Sequence, residues 1–465
     1  MDMRESSPKQ LTTLADATAY LEGLINHERR PGFEYARLDL RAISAVLDGL
    51  GRPHDSLSIL HVAGSKGKGS TCLFAEAILL ALGDRVGTFT SPHLESWVER
   101  FRIGGRPVEQ KKLVAAVERV RPVVESLRVG PSETRPSFFD ATTAVALLLF
   151  EQADVQHAIL EVGLGGRLDS TNIVTPLVTC ITSIELEHTD KLGETEAEIA
   201  AEKAGILKPG APLILGELRV EAEKVILDRA KEVGADVRAC GKEFLVTRTT
   251  GAEKPEAFAW AEQVLCFEAP PDFRFEAKLA MFGHPALVNA GLAVECVRAI
   301  GRHSDAAIAN AARQSLAKRR LPGRIEILRG DADVIIDSAH TAESARALSA
   351  VLSEIAPEGY ELLLSVSEDK NLGGVLDALL PAARRVWVTR AEPLRSLAPE
   401  ELARLIREHS PSVPIEVVDD PERAAERARN ALPPGIRLCA TGSIYLAGVA
   451  RRVLRERIAS PGSSR

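Results

Sequence analysis

The sequence predicts an α/β protein of two domains, each built on an open, largely parallel sheet. Three observations carry this. Short β-branched runs alternate with helical patterns through the first half of the chain, the order expected of a parallel sheet covered on both faces. One of those runs passes through a glycine-rich loop, Gly64–Ser70, straight into a helical pattern. The alternation breaks at Pro322–Gly323 and then restarts, which predicts a second open α/β unit.

The elements follow in order. Leu57–Ala63 reads as a strand, Thr71–Leu82 as a buried helix and Arg85–Thr90 as the next strand. Gln156–Val162 and Leu177–Ile184 continue the sheet, because β-branched residues fit a pleated, buried surface. Ala197–Ala204 is helical and stops at Gly205. Phe244–Arg248, Val264–Phe267 and Phe273–Leu279 read as short strands of an antiparallel appendage, and Ala286–Ile300 and Ala306–Leu316 as helices. Beyond the break, Val334–Asp337, Leu362–Val366, Val386–Thr389, Ile415–Val418 and Arg437–Ala440 are strand candidates. The domains are therefore placed at 1–321 and 322–465, with a hinge at Leu321–Arg324.

Composition bounds the function. The 465 residues are 45% hydrophobic and 26% charged, enough for a sizeable core without metals or disulfides. A net charge of −7 argues against bulk nucleic-acid binding, although local cations can still draw an anion into a cleft. The six cysteines form no CxxC and read as reduced thiols. The polar start MDMRESSPKQ lacks an apolar signal core. Together these predict a cytoplasmic protein. The apolar run AVALLLF is far shorter than the ~20 residues of a membrane span.

Five segments carry chemistry. In HVAGSKGKGST, His61–Thr71, glycines 64, 67 and 69 allow close backbone approach to phosphate. Amides at the start of the following helix form an anion nest, and Lys68 can reach a terminal phosphate oxygen. Gly69 separates Lys68 from Ser70, so this is a variant of the P-loop pattern; a solvated Gly/Lys turn is the bland alternative. In EVGLGGRLDSTN, Glu161 ends an apolar strand, where ligands of open α/β sheets gather and where a carboxylate suits Mg²⁺; a turn capped by Asp169 is the plainer account. In Ser183–Gly210, Glu187 and His188 follow a strand and Lys203 lies on a helical segment. Alone, a loop histidine is more often a cap and a lysine more often a surface residue. Ser91 follows a strand and precedes Pro92, which places its hydroxyl for metal or phosphate, or makes a plain turn. Finally, Arg324 lies at the hinge, and Asp337 and His340 end a strand of the second domain. Domain closure would bring these three over the P-loop.

Together these segments resemble the folylpolyglutamate synthase/dihydrofolate synthase family of the Mur-ligase superfamily, from about Leu38 to about Leu446. The motifs, in order, are HVAGSKGKGS, TSPHL, SFFDATT, EVGLGGRLDSTN, EHT, EKAGILKPG, LPGR, DSAHT and TGSIYL. The resemblance implies a Mur-ligase-like fold, an N-terminal P-loop ATPase-type domain followed by a C-terminal Rossmann-like domain. It implies ATP and two Mg²⁺. Gly67, Lys68, Gly69 and Ser70 match the phosphate loop, and Ser91, Glu161 and His188 the magnesium ligands. Lys203 matches a lysine whose carbamate is an oxygen ligand of the second magnesium. Asn289, Arg324 and Asp337 match ATP contacts, and His340 the histidine beside them. Lys68, Glu161, His188, Lys203 and His340 are thus the catalytic candidates. Phe138, Phe139 and Asp140, with Leu168, Asp169 and Ser170, fall where relatives bind the pterin.

The implied reaction is ligation of L-glutamate to dihydropteroate, to reduced folates or to both, through an acyl phosphate. The implied partners are small molecules only, with no nucleic acid or membrane, and the implied state is a monomer. Lys66, Glu187, Pro285-Ala286 and the DSAHTA segment depart from the family pattern. The last two motivate one rival, a diverged Mur-type ligase acting on a non-folate carboxylic acid; a second rival of a different class, a nucleotide-binding protein without turnover, is set against by the retained Ser91, Glu161, His188 and Lys203.

Overall fold

In the computed structural model, which describes residues 10–26, 35, 38–249, 263–368, 371–393 and 395–459, the first sheet has eight strands. They are β1 (Ser58–Ala63), β2 (Val86–Phe89), β3 (Phe101–Ile103), β4 (Arg106–Pro107), β5 (His157–Glu161), β6 (Val178–Ile181), β7 (Leu213–Leu215) and β8 (Val237–Ala239). Their order is β4-β3-β2-β5-β1-β6-β7-β8. From β2 to β8 every pairing is parallel; β3 and β4 add an antiparallel edge. Every residue of β5, and all of β1 after Ser58, is buried, which is why these strands read as continuous apolar runs.

Register positions the site. Val62 pairs with Glu161, and Ala63 with Ile181. The carboxyl ends of β1, β5 and β6 therefore finish side by side, and the loops that leave them share one edge of the sheet. One core cluster packs the helices Arg41–Gly49, Gln110–Arg128 and Phe138–Gln152 against β1, β2 and β5. Another packs Glu196–Ala204 and Val220–Val233 against β6, β7 and β8. The apolar run at 144–150 lies inside the buried helix Phe138–Gln152.

A three-stranded sheet of β9 (Leu245–Thr249), β10 (Gln263–Ala269) and β11 (Phe273–Leu279) has the order β11-β10-β9. Burial alternates along β11, as for a strand with one face packed and the other wet. The second large sheet has β12 (Glu326–Leu328), β13 (Val334–Ile336), β14 (Tyr360–Leu364), β15 (Ala383–Val388), β16 (Ile415–Val417) and β17 (Arg437–Thr441). The order is β12-β13-β17-β14-β15-β16, parallel except for β12. Among the described residues, one compact unit takes those up to Thr247 with Leu265–Ala277 and Val288–Ala317. The other takes those of Arg248–Val264, Lys278–Leu287 and Lys318–Arg465, so short stretches upstream of the Pro-Gly break belong with the C-terminal sheet. All six cysteines are buried and unbridged. Among the described residues no helix is long and apolar enough to cross a membrane.

Buried histidines make this fold acid-sensitive. Burial pushes His61 down to about 3 and also lowers His54 and His157. A histidine of the unfolded chain titrates near 6.5, so below that pH the unfolded chain binds protons that the native fold refuses. Stability is fully present above about pH 6.5 and falls as pH drops toward 3, by about 1.4 kcal/mol per pH unit for His61 alone. Urea midpoints between pH 7.5 and 4.5 should show this decline, and His61→Gln should flatten it by close to one proton. An unchanged slope in the variant would mean that the native imidazole is already charged.

Candidate active site

The loop leaving β1 is laced to the loop leaving β6. Ser65 N donates to Ser183 O at 2.8 Å, Lys66 N to Ser183 Oγ at 2.9 Å and Glu185 N to Ser65 Oγ at 2.9 Å. The helix Lys68–Ala81 then starts with Gly67 as its N-cap, at φ 86°. That left-handed backbone favours glycine. A Cβ there would also lie 2.3 Å from Asn289 Oδ1, so Asn289 and the phosphate loop are neighbours. Amides at this helix start have no intrahelical partners and face an anion site.

Glu161 sits on the other side of the helix start. It is 5% exposed. Its Oε2 accepts from Ser91 N at 2.9 Å, and a Cβ built on Gly69 would come 3.2 Å from the same oxygen. Ser91, Glu161 and the phosphate loop thus converge. Behind the loop, Lys68 Nζ donates to Gly64 O at 2.8 Å and Lys203 Nζ to the same carbonyl at 3.0 Å. Two departures from the family pattern meet here: Lys66 Nζ lies 3.1 Å from Glu187 Oε2. Lys203 Nζ lies 3.7 Å from Glu187 Oε1.

Three ammonium groups therefore surround Glu187, and the two sides of the cluster respond differently. Burial works against the Glu187 charge, but Lys66, Lys68, Lys203 and His188 outweigh it and hold the carboxyl at about 2. Burial, then Lys68, pushes Lys203 down to about 7, against the pull of Glu187. Burial also lowers Lys66. One carboxylate is well served by several cations, whereas each cation feels the others. The cluster is thus short of negative charge, which a polyphosphate supplies. His188 stands at φ 50° and ψ 40° as the N-cap of Thr189–Leu192, an uncommon backbone for a non-glycine residue and one found at ligand sites.

Among the described residues, no three His, Cys, Asp or Glu side chains converge as a closed metal cage. Mg²⁺ bound with a nucleotide needs none, since phosphate oxygens and waters complete its octahedron. The buried Glu161 carboxylate beside Ser91 and the phosphate loop fits that role.

A pocket opens along the same loops. Its walls include Phe138, Phe139, Asp140, Leu168, Asp169 and Ser170, the six residues that the motifs single out for the acceptor. Ser137 and Asp140 form a capping box that starts the helix Phe138–Gln152. Asp140 Oδ2 accepts from Ser137 Oγ at 2.7 Å and Oδ1 from Ser170 Oγ at 2.7 Å, so the carboxylate ties two walls together. The sequence singles out none of the other lining residues, Asn26, Tyr35, Leu38, Asp39, Ser137, Leu164 and Lys191. Ser137 and Leu164 lie inside SFFDATT and EVGLGGRLDSTN and Lys191 inside Ser183–Gly210, whereas Asn26, Tyr35, Leu38 and Asp39 come from the stretch ahead of the first motif. The Tyr35 hydroxyl donates to Leu164 O at 3.3 Å, a link that no local pattern announces.

Arg324, Asp337 and His340 form a cluster of their own in the second unit. Asp337 is 7% exposed and follows β13. It accepts from Ile325 N at 2.8 Å and Ala339 N at 2.7 Å, holding Ile325 at φ 46°. Burial raises its carboxyl, against the pull of Arg324. His340 Nδ1 lies 2.8 Å from Ser338 O; a carbonyl only accepts, so the proton is on Nδ1.

Known proteins resemble this chain over most of its length. Residues 62–297 match the Mur ligase middle domain, and 323–444 the Mur ligase glutamate ligase domain. The dihydrofolate synthase/folylpolyglutamate synthase of Escherichia coli is 34% identical over 85% of this chain and 86% of its own length. That of Mycobacterium tuberculosis is 33% identical over 89% of each. A probable bifunctional folylpolyglutamate synthase/dihydropteroate synthase of Haloferax volcanii is 32% identical over 94% of this chain, which spans only 50% of that protein. Among solved structures, E. coli FolC in complex with DHPP and ADP superposes with a TM-score of 0.82, at 30% identity, over 97% of this chain and 100% of that one. The Yersinia pestis bifunctional enzyme complexed with AMPPNP and Mn gives 0.80, at 29% identity and the same coverage. The chain belongs to the folylpolyglutamate synthase/dihydrofolate synthase family of Mur ligases.

Proposed function

We propose that this protein is an ATP-dependent ligase that joins L-glutamate to dihydropteroate, to reduced folates or to both. The observation that carries the proposal is the meeting, on one sheet edge, of a cation-rich phosphate loop, the buried Glu161 and a pocket walled by Phe138 and Phe139. Relatives add support: one structure holds DHPP with ADP, another AMPPNP with Mn.

Amide formation from a free carboxylate is uphill in water and needs activation. In this reading an acceptor carboxylate oxygen attacks the γ-phosphorus of ATP and ADP leaves. The glutamate amine then attacks the acyl phosphate, and inorganic phosphate leaves. Amides of Gly67–Ser70 hold the phosphates, and Lys68 leaves Gly64 O for a phosphate oxygen. Ser91, Glu161 and His188 would hold Mg²⁺, with Lys203 as a carbamate for a second ion. Bound there, Mg²⁺ offsets charge on the transferring phosphoryl group. A Lys203 amine near 7 is partly neutral at physiological pH, and only the neutral amine adds CO₂. Asn289, Arg324 and Asp337 are assigned to the nucleotide, and His340 to the reacting groups. We place the enzyme in the cytoplasm as a monomer.

The test is ADP release with ATP, Mg²⁺ and L-glutamate, comparing dihydropteroate with tetrahydrofolate and identifying products by mass. Turnover with both acceptors shows a bifunctional enzyme, and turnover with one fixes its acceptor. Absence of turnover with either overturns the folate assignment and favours another carboxylic acid.

A further inference from the structure

His61, on β1, is fully buried, as is Thr171, and Asp169 is 5% exposed. His61 Nε2 lies 2.8 Å from Thr171 Oγ1. Thr171 Oγ1 in turn donates to Asp169 Oδ1 at 2.5 Å. A hydroxyl has one proton and a carboxylate only accepts, so the imidazole must be the donor to Thr171 and carries its proton on Nε2. Asp169 Oδ1 also accepts from Thr171 N at 3.0 Å. Its Oδ2 accepts from Gly163 N at 3.0 Å and Leu164 N at 2.9 Å. The chain of bonds thus runs from the strand that feeds the phosphate loop to Leu164 and Asp169, which line the acceptor pocket.

Capping explains only part of this. Asp169 caps Ser170–Ile173 through Thr171 N, and that needs neither the threonine hydroxyl nor a histidine. His61 also leaves Nδ1 buried with no hydrogen-bond partner, an unfavourable arrangement that an apolar residue at this position would avoid. Burial keeps the ring neutral, so its donor role is the same across the working pH range.

We propose that His61 is a positioning residue for the acceptor pocket: through Thr171 it aims the Asp169 carboxylate, which holds the Gly163–Leu164 backbone in the shape that receives the acceptor ring. The proposal rests on the reading of this pocket as the acceptor site. Two oxygens with fixed donors form a rigid wall, and a wall set before binding costs the ligand no ordering.

The experiment measures equilibrium binding of dihydropteroate and of ADP to the full chain by calorimetry, alongside thermal midpoints. Thr171→Val keeps the shape and removes the hydroxyl. It should weaken dihydropteroate about tenfold while ADP affinity stays within about twofold. Thr171→Ser should restore acceptor binding. His61→Leu should repeat the Thr171→Val loss, and His61→Gln, whose amide can donate, should recover most of it. Combining His61→Leu with Thr171→Val should add nothing further, as expected of one chain of bonds. Unchanged dihydropteroate affinity in Thr171→Val, or an equal loss of ADP affinity, overturns the proposal even if the midpoint falls. Should Thr171→Val not fold, the contrast between His61→Leu and His61→Gln decides in the same way. Phe139→Ala separates the two readings: if it too leaves dihydropteroate binding unchanged, or if the native chain binds none, the pocket assignment fails and this proposal with it.

Discussion

Glu161→Ala should lower turnover about a thousandfold or more, with a thermal midpoint within a few degrees of the native protein. The carboxylate is buried, yet its Oε2 is engaged by Ser91 N and lies against Gly69. Both neighbours belong to the sheet edge proposed to bind phosphate, so the group is held where a nucleotide-bound Mg²⁺ would need an oxygen. Truncation removes the acceptor of Ser91 N at the end of β5 and leaves the apolar packing of that strand intact, which keeps the stability effect small. Glu161→Gln refines the test, because it keeps the acceptor for Ser91 N and removes only the charge. Coupled ADP release and a melting curve read the two effects apart. Near-native turnover in either variant would sink the metal assignment.

Lys203→Met should abolish turnover and make the protein more stable at pH 7. An unfolded lysine titrates near 10.4, whereas burial and Lys68 bring this one to about 7 in the native fold. Between those values the unfolded chain binds a proton that the native one lacks. Stability therefore rises with pH from about 7 to about 10.4, and below 7 the burden of the buried charge is carried in full. Methionine fills the space without the charge, and Glu187 keeps Lys66 at 3.1 Å. A gain at pH 7 is expected, because the burial of the ammonium is relieved while Glu187 keeps a cationic partner. Urea unfolding at pH 7 and pH 9.5 checks it: the gap between variant and native protein should narrow at the higher pH. A variant less stable than the native protein at pH 7 would show that the Glu187 and Gly64 contacts outweigh the burial of the ammonium.

What could be read in advance follows from how locally each feature is encoded. β1, β2, β5 and β6 were legible because a strand buried on both faces is an unbroken apolar run. β3, β4, β7, β8 and β12 span only two or three residues each, too short for a periodicity to emerge. Ser91 and His188 stood out as candidates because each follows a strand, and Glu161 because it ends one, whereas the roles of Lys203 and Asn289, on the helices Glu196–Ala204 and His284–Ala299, came through the resemblance. The Lys66–Glu187 pair was not legible, since it joins two loops far apart in sequence and each residue looks ordinary alone. Tyr35 and Lys191 escaped for the same reason, since each adds a single side chain to a wall built by other segments. The pocket residues in SFFDATT and LDS were reached through family resemblance, not through any pattern of their own.

The buried thiols give the molecule an internal clock. Cys72, Cys180, Cys240, Cys266 and Cys296 belong to one compact unit and Cys439 alone to the other. Cys72, Cys180, Cys296 and Cys439 have no exposed surface, so each labelling event at these four records one opening. Followed by peptide mass, Cys439 reports how often the C-terminal sheet breathes, and Cys72, Cys180 and Cys296 time the other unit separately. A single chain thereby yields two opening rates, with and without nucleotide, and no engineered probe is required.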